Sequence, residues 1–172
     1  MNKNFIFVVV SIVVIGGIGL LVKGSNSKTG VNQNPATSQT SSKEGKSVEG
    51  YNGRVLAGSA SPYIEFNKSD YDKALSSGKV VFLDFYANWC PICRDEAPNL
   101  KSGFDNLTTD KVVGFRVNYN DSDTDEDEKK LAQKFGITYQ HTKVILKEGK
   151  EVSKSLESWD KETFLKTINQ AL

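Results

Sequence analysis

The feature that most constrains this fold is the run Lys79 to Tyr86, apolar at nearly every position and followed closely by Cys90-Pro91-Ile92-Cys93. A strand apolar on both faces has no side to turn to water, so it calls for helices packed above and below it. The only two cysteines of the chain stand where this strand gives way to a helix-like stretch. A helix N-terminus carries unpaired N–H groups and a partial positive charge, and both favour a thiolate over a thiol. A Cys-x-x-Cys pair at such a junction is where a redox-active dithiol is expected. Two cysteines in one motif build no disulfide framework and cannot fill a four-thiolate zinc site.

Other elements fall around this strand. Tyr63-Ile64-Glu65-Phe66 alternates enough for a short edge strand. Ser69 and Asp72 fit a capping box, and Gly78 is placed to stop the helix they open. Arg94 to Leu107 reads as a helix with Pro98 inside it as a kink, and Val112 to Tyr119 as a second buried strand. Thr124 and Asp127 suggest another capping box, for a helix ending at Gly136. Lys143 to Leu146 and Glu151 to Ser153 form a hairpin around Glu148-Gly149, and Asp160 starts a last helix carrying Phe164, Leu165 and Ile168. The order β-α-β-α-β-α-β-β-α implies a mixed α/β sheet between helices.

Charge and the first sixty residues bear on location. Residues 1–60 carry six Lys/Arg and two Asp/Glu, and residues 61–172 carry sixteen and nineteen. The second part is therefore slightly acidic, which argues against a nucleic-acid partner. After a short tail at 1–4, Phe5 to Val22 is an apolar run of eighteen residues with Ser11 its one polar side chain. That approaches the roughly 20 residues of a membrane-spanning helix and exceeds the roughly 7–15 of a signal-peptide core. The expectation is an uncleaved signal-anchor at 5–22; a cleaved signal and a secreted protein are the alternative. Residues 23–60 read as a flexible Ser/Gly/Asn-rich linker whose last part, Tyr51 to Ala60 with Val55 and Leu56, begins to touch the domain, and 61–172 as the folded domain. The acidic stretch Asp121 to Glu128 resembles a calcium loop only superficially: Glu126 stands where glycine is required and Ala132 where a bidentate Glu is required.

From about residue 61 to 172, this order and the motif together resemble the thioredoxin family. The most specific part is Asp84-Phe85-Tyr86-Ala87-Asn88-Trp89-Cys90-Pro91-Ile92-Cys93, with Pro98 five residues further on. The resemblance implies a thioredoxin fold and a thiol–disulfide oxidoreductase with no cofactor beyond a Cys90–Cys93 disulfide. Its substrates would be protein disulfides or dithiols, its state a monomer. The anchor and linker are similar to those of extracytoplasmic members tethered at the cell membrane, where a membrane redox partner could serve the dithiol.

The resemblance also assigns roles. Cys90, the more exposed cysteine, is the nucleophile and Cys93 resolves the mixed disulfide. Pro91 suits the first helical turn, and the Pro91-Ile92 dipeptide adds no charge, so redox direction stays open. Asp84 matches the family's proton relay; a structural Asp is the alternative. Arg116 falls where the family places a basic partner of that Asp, or else faces the surface. Trp89 packs beside the dithiol and shields it. His141 stands where the family carries a cis-proline in the loop facing the dithiol. It could stabilise the Cys90 thiolate as an imidazolium, point to solvent, or complete a soft metal site with Cys90 and Cys93. The last reading makes the chain a metal-binding or metal-delivery module. A non-catalytic interaction domain is a third class, against which the intact dithiol argues.

Overall fold

The computed structural model describes Val48 and residues 50–172. The expected anchor at 5–22 lies outside the described residues. Among the described residues, no helix is long and apolar enough to cross a membrane.

Six strands and four helices follow in the order β1 (Val55–Ala57), β2 (Tyr63–Glu65), α1 (Lys68–Ser76), β3 (Val80–Tyr86), α2 (Pro91–Asn106), β4 (Val112–Asn118), α3 (Glu126–Lys134), β5 (Thr142–Lys147), β6 (Lys150–Ser155) and α4 (Lys161–Ala171). The strands form one sheet in the order β1-β2-β4-β3-β5-β6. Strand β3 lies parallel to β4 and antiparallel to β5, so the sheet is mixed as expected. Alternation along β3 sorts its side chains onto two faces. Val81, Leu83 and Phe85 pack into one core with Tyr71 of α1 and Leu131 of α3. Val80 and Phe82 pack into the other with Leu100 and Phe104 of α2 and Phe164 of α4. Asp84 breaks the second series: it is the charged member of the face that α2 and α4 cover.

Gly114 shows how tightly that second face is closed. A Cβ there would overlap the Phe104 ring, which lies on the sheet and stacks on Tyr63 at 4.8 Å. Lacking a side chain, Gly114 lets α2, which carries the cysteines at its other end, seat against the sheet.

Several boundaries differ from the sequence reading. The sheet begins at Val55, inside the stretch expected to be linker. Asp70, buried in α1, accepts from the backbone N–H of Asn52 (2.8 Å) and Gly53 (2.7 Å), and Lys73 donates to the Gly50 carbonyl at 2.6 Å. These bonds hold the chain where β1 can pair with β2. Helix α1 is capped by Asn67, whose side chain accepts from Ser69 and Asp70, and not by Ser69. Helix α3 is capped by Asp125 in a reciprocal box with Glu128, one residue later than expected. Helix α2 starts at Pro91, in keeping with the first-turn place read for that proline and three residues ahead of the run from Arg94, because proline at the first position gives up only an N–H that would have no helical partner. The hairpin turns at Glu148 (φ 52°) and Gly149 (φ 74°), the paired positive angles of a two-residue turn.

Candidate active site

The sulfurs sit at the N-terminus of α2, joined as a disulfide with Cα atoms 5.3 Å apart. Cys90 is the N-cap residue, and its Sγ accepts the N–H of Cys93 at 3.1 Å. A sulfur that caps a 16-residue helix in this way is favoured as an anion once reduced, by the donated N–H and by the helix dipole. The loop carrying it is held from both sides. Asn88 N–H donates to Asp121 at 2.8 Å, and Trp89 Nε1 donates to the Asn120 carbonyl at 3.1 Å. From the opposite side His141 N–H donates to the Phe85 carbonyl at 2.6 Å. The acidic stretch that superficially resembles a calcium loop thus anchors the dithiol loop instead.

Exposure runs against one expectation. Cys90 is not the more exposed cysteine: the two are 3% and 4% exposed in the disulfide. Trp89 is 50% exposed, with its indole N–H donated to the Asn120 carbonyl. With Ile92 and Tyr139, also exposed, it leaves apolar surface in the segments that hold the dithiol.

Behind the dithiol lies a polar cluster, most of which the sequence reading did not anticipate. Asp84 is buried and accepts the Tyr63 hydroxyl at 2.7 Å. Burial pushes its carboxyl up to about 6 against the opposing hydrogen bond from Tyr63, and the nearby Glu96 raises it further. Arg116 is the register partner of Asp84 on β4, yet its guanidinium binds Glu65 at 2.6 Å and lies over the Tyr86 ring. The guanidinium is drawn to Glu65, and the side chain is only partly exposed. The register partner on the other side is Lys143 of β5, a fully buried lysine. Its Nζ lies 2.7 Å from Glu96 Oε1 and 2.7 Å from the Glu157 carbonyl. Glu96, buried on α2, also accepts the Trp159 N–H. Both residues break an apolar pattern, Glu96 on the helix face of Leu100 and Phe104, and Lys143 on the strand face of Ile145. That break is the signal by which sequence could have found them.

His141 belongs to this cluster and matches none of its three expected roles. It is buried rather than solvent-facing. Its Nε2 lies 3.2 Å from Ser158 Oγ and 3.3 Å from Lys143 Nζ, and its Nδ1 lies 3.0 Å from Glu96 Oε2 without hydrogen-bond alignment. Nε2 is thus engaged with Ser158 and Lys143, while Nδ1 is buried beside Glu96 with no hydrogen-bond partner among the described residues. Burial and then the Lys143 charge lower its pKa, which disfavours an imidazolium. Among the described residues, no group of three or more His, Cys, Asp or Glu is placed to hold a metal ion. The metal module proposed from Cys90, Cys93 and His141 is therefore not supported.

The backbone at His141 explains why proline is absent. Its φ is 69°, in the left-handed region, whereas proline is fixed near −65° and has no N–H to give Phe85. Restoring the family residue as His141→Pro is expected to destabilise the domain by about 3 kcal/mol or more. A fall in the urea midpoint without a change in slope would register it.

Asp84 gives a pH signature. A carboxyl raised from 3.8 to about 6 keeps a proton in the folded state that the unfolded chain has already lost. Between about pH 4 and 6, stability therefore falls as pH rises, by up to about 3 kcal/mol in all. Asp84→Asn keeps an acceptor for Tyr63 and removes this cost. It is expected to stabilise the fold at pH 7 by about 1–3 kcal/mol and to be neutral below about pH 4, as urea unfolding at several pH values would show.

A disulfide closed across Cys-x-x-Cys, at the start of the helix that follows the central strand of a mixed sheet, defines a thiol–disulfide oxidoreductase. The comparisons with known proteins agree. The family model described as Thioredoxin matches residues 62–170. Thioredoxin-2 of Pyricularia oryzae is 30% identical over 128 residues, covering 74% of this chain and 67% of that protein. Thioredoxin-2 of Saccharomyces cerevisiae is 35% identical over 92 residues, covering 50% and 76%. Among solved structures, Trxlp from Edwardsiella tarda EIB202 is similar at a TM-score of 0.51 and 25% identity, over 60% of this chain and 94% of that one. The chain belongs to the thioredoxin family, whose members act on protein disulfides.

Proposed function

We propose that this chain exchanges disulfides with protein substrates at a membrane surface, through Cys90 as nucleophile and Cys93 as resolving thiol. The observation that carries the reading is the Cys90 sulfur capping α2 while paired with Cys93. In the reducing direction the Cys90 thiolate attacks a substrate disulfide. A Cys90–substrate disulfide forms, and the first substrate sulfur leaves as a thiolate that takes a proton from water. Cys93 then gives its proton to the Asp84 carboxylate, and the Cys93 thiolate attacks Cys90 Sγ. The Cys90–Cys93 bond closes, the second substrate sulfur leaves, and two electrons have passed from the dithiol to the substrate. The oxidising direction is the same path reversed. The apolar side chains Trp89, Ile92 and Tyr139 suit a polypeptide substrate better than a small thiol.

The membrane part rests on the eighteen-residue apolar run at 5–22 and the polar linker after it. An anchor with the domain on the extracytoplasmic side places the dithiol where disulfides persist, and a membrane electron donor or acceptor would recycle it.

The test is a trap. Cys93→Ser is expected to stop the reaction halfway and accumulate a Cys90-linked mixed disulfide with a substrate protein, released by dithiothreitol and seen on non-reducing gels. Trapping by Cys90→Ser and not by Cys93→Ser would reverse the roles, and trapping by neither would reject the exchange reading.

A further inference from the structure

The sheet face under α2 holds more charge than a single proton relay requires. The titratable groups facing Asp84 come from five directions. Tyr63 of β2 donates to it, and Arg116 of β4 is its register partner but is bound to Glu65. Lys143 of β5 is its register partner on the other side, with His141 in the preceding loop and Glu96 above on α2. Lys143 and Glu96 are buried and in contact at 2.7 Å. With Arg116 committed to Glu65 and His141 neutral, two carboxylates share one ammonium. A buried carboxylate without a counter-charge is relieved by binding a proton. Glu96 also follows Cys93 by three residues on the buried face of α2, which makes the two side chains neighbours one turn apart.

We propose that Glu96 and Lys143 are positioning residues of the exchange reaction. Glu96 is a second carboxylate that makes Asp84 a stronger base toward Cys93, and Lys143 limits that effect by pairing with Glu96. The inference rests on the reading of Asp84 as the acceptor of the Cys93 proton. The step itself is a transfer: Cys93 loses a proton, the Asp84 carboxylate gains it, and no electrons move until the thiolate attacks Cys90. The partner expected on β4 is thereby replaced by an ion pair from β5 and α2.

A purely structural role is the competing account. Glu96 and Lys143 also tie the segment before α4 to the sheet, through the Trp159 N–H and the Glu157 carbonyl. Stitching alone would lower stability in either variant without moving a titration. The experiment follows two readouts in the full-length chain held in detergent. One is the titration of the Asp84 carboxyl carbon by NMR, and the other is the pH profile of reduction of a disulfide-bonded peptide. Glu96→Gln keeps the shape and removes the like charge. It is expected to move both midpoints to lower pH by about one unit. Lys143→Met is expected to move both to higher pH, and the double variant to fall between the two. Unchanged midpoints, or shifts of the same sign in both single variants, would overturn the proposal. If Lys143→Met fails to fold, Glu96→Gln decides alone. Asp84→Asn separates the two layers. If its rate profile matches the wild type, the relay reading itself has failed. If its profile loses the inflection while Glu96→Gln matches the wild type, only the role of Glu96 and Lys143 has failed.

Discussion

Cys90→Ser is expected to reduce thiol–disulfide exchange to the uncatalysed background, with the fold intact. That sulfur makes the first bond to substrate, and Cys93 and Asp84 act only after the mixed disulfide has formed. The N–H of Cys93 and the dipole of α2 stabilise an anion at the cap position, and a hydroxyl at that position neither ionises near neutral pH nor forms a disulfide. Serine remains a good N-cap, so α2 keeps its start. Loss of the Cys90–Cys93 crosslink costs little, because it closes a very short loop. The variant should therefore unfold cooperatively, near the midpoint of the reduced wild type, while failing to reduce a protein disulfide with dithiothreitol as donor. Residual turnover would show that the remaining cysteine attacks substrates directly and that the order assigned to the pair is wrong.

The largest expected loss of stability follows from Lys143→Met. Lys143 is fully exclusive of solvent and faces Glu96 at 2.7 Å. A buried ion pair is not by itself a strong source of stability, because desolvation offsets much of the attraction. Removing one partner is different, since it leaves the other charge in the interior alone. The expected cost is about 3–5 kcal/mol. For a domain of this size that is a large share of the typical 5–15 kcal/mol. Adding Glu96→Gln in the same chain should recover a substantial part, because the stranded charge is then gone. Non-additivity in this direction, measured by urea denaturation of both single variants and the double, would identify the pair. Additive losses would show that Lys143 contributes by packing and by its bond to the Glu157 carbonyl alone.

The legible parts of the chain were those where local pattern and tertiary demand agree. The run Lys79 to Tyr86 holds the central strand because it is short, β-branched or aromatic at most positions and apolar on both faces, which suits a strand covered by helices on both sides. The Glu148-Gly149 turn is legible because few residues accept positive φ, and the dithiol sits at a helix start because proline and cysteine fit there. Exact helix caps were less legible. Ser69 and Asn67 are both competent caps, and only the path of the chain from β2 selects Asn67. Val55 and Leu56 marked a contact with the domain, but their pairing as strand β1 was not legible, since its place depends on Asp70, which grips Asn52 and Gly53 from α1. The Glu96–Lys143 pair was hidden for a similar reason. A charged residue in an apolar pattern reads as a surface residue until its partner is known, and the partner here lies on another element. His141 shows the limit of reasoning by position. Its place in the chain points to the proline of the family, but its positive φ and its bond to Phe85 suit a different loop, and its ring turns into the charged cluster.

If exchange runs through this dithiol, Cys90 and Cys93 behave as one reversible two-electron couple. Equilibrating the full-length chain in glutathione or dithiothreitol buffers, then alkylating the free thiols and weighing the products, tests it directly. A single transition is expected in which both thiols appear together, with a midpoint in the range of about −270 to −120 mV that this type of dithiol spans. Thiols that appear separately, or a disulfide that resists reduction below about −300 mV as structural bridges do, would contradict it.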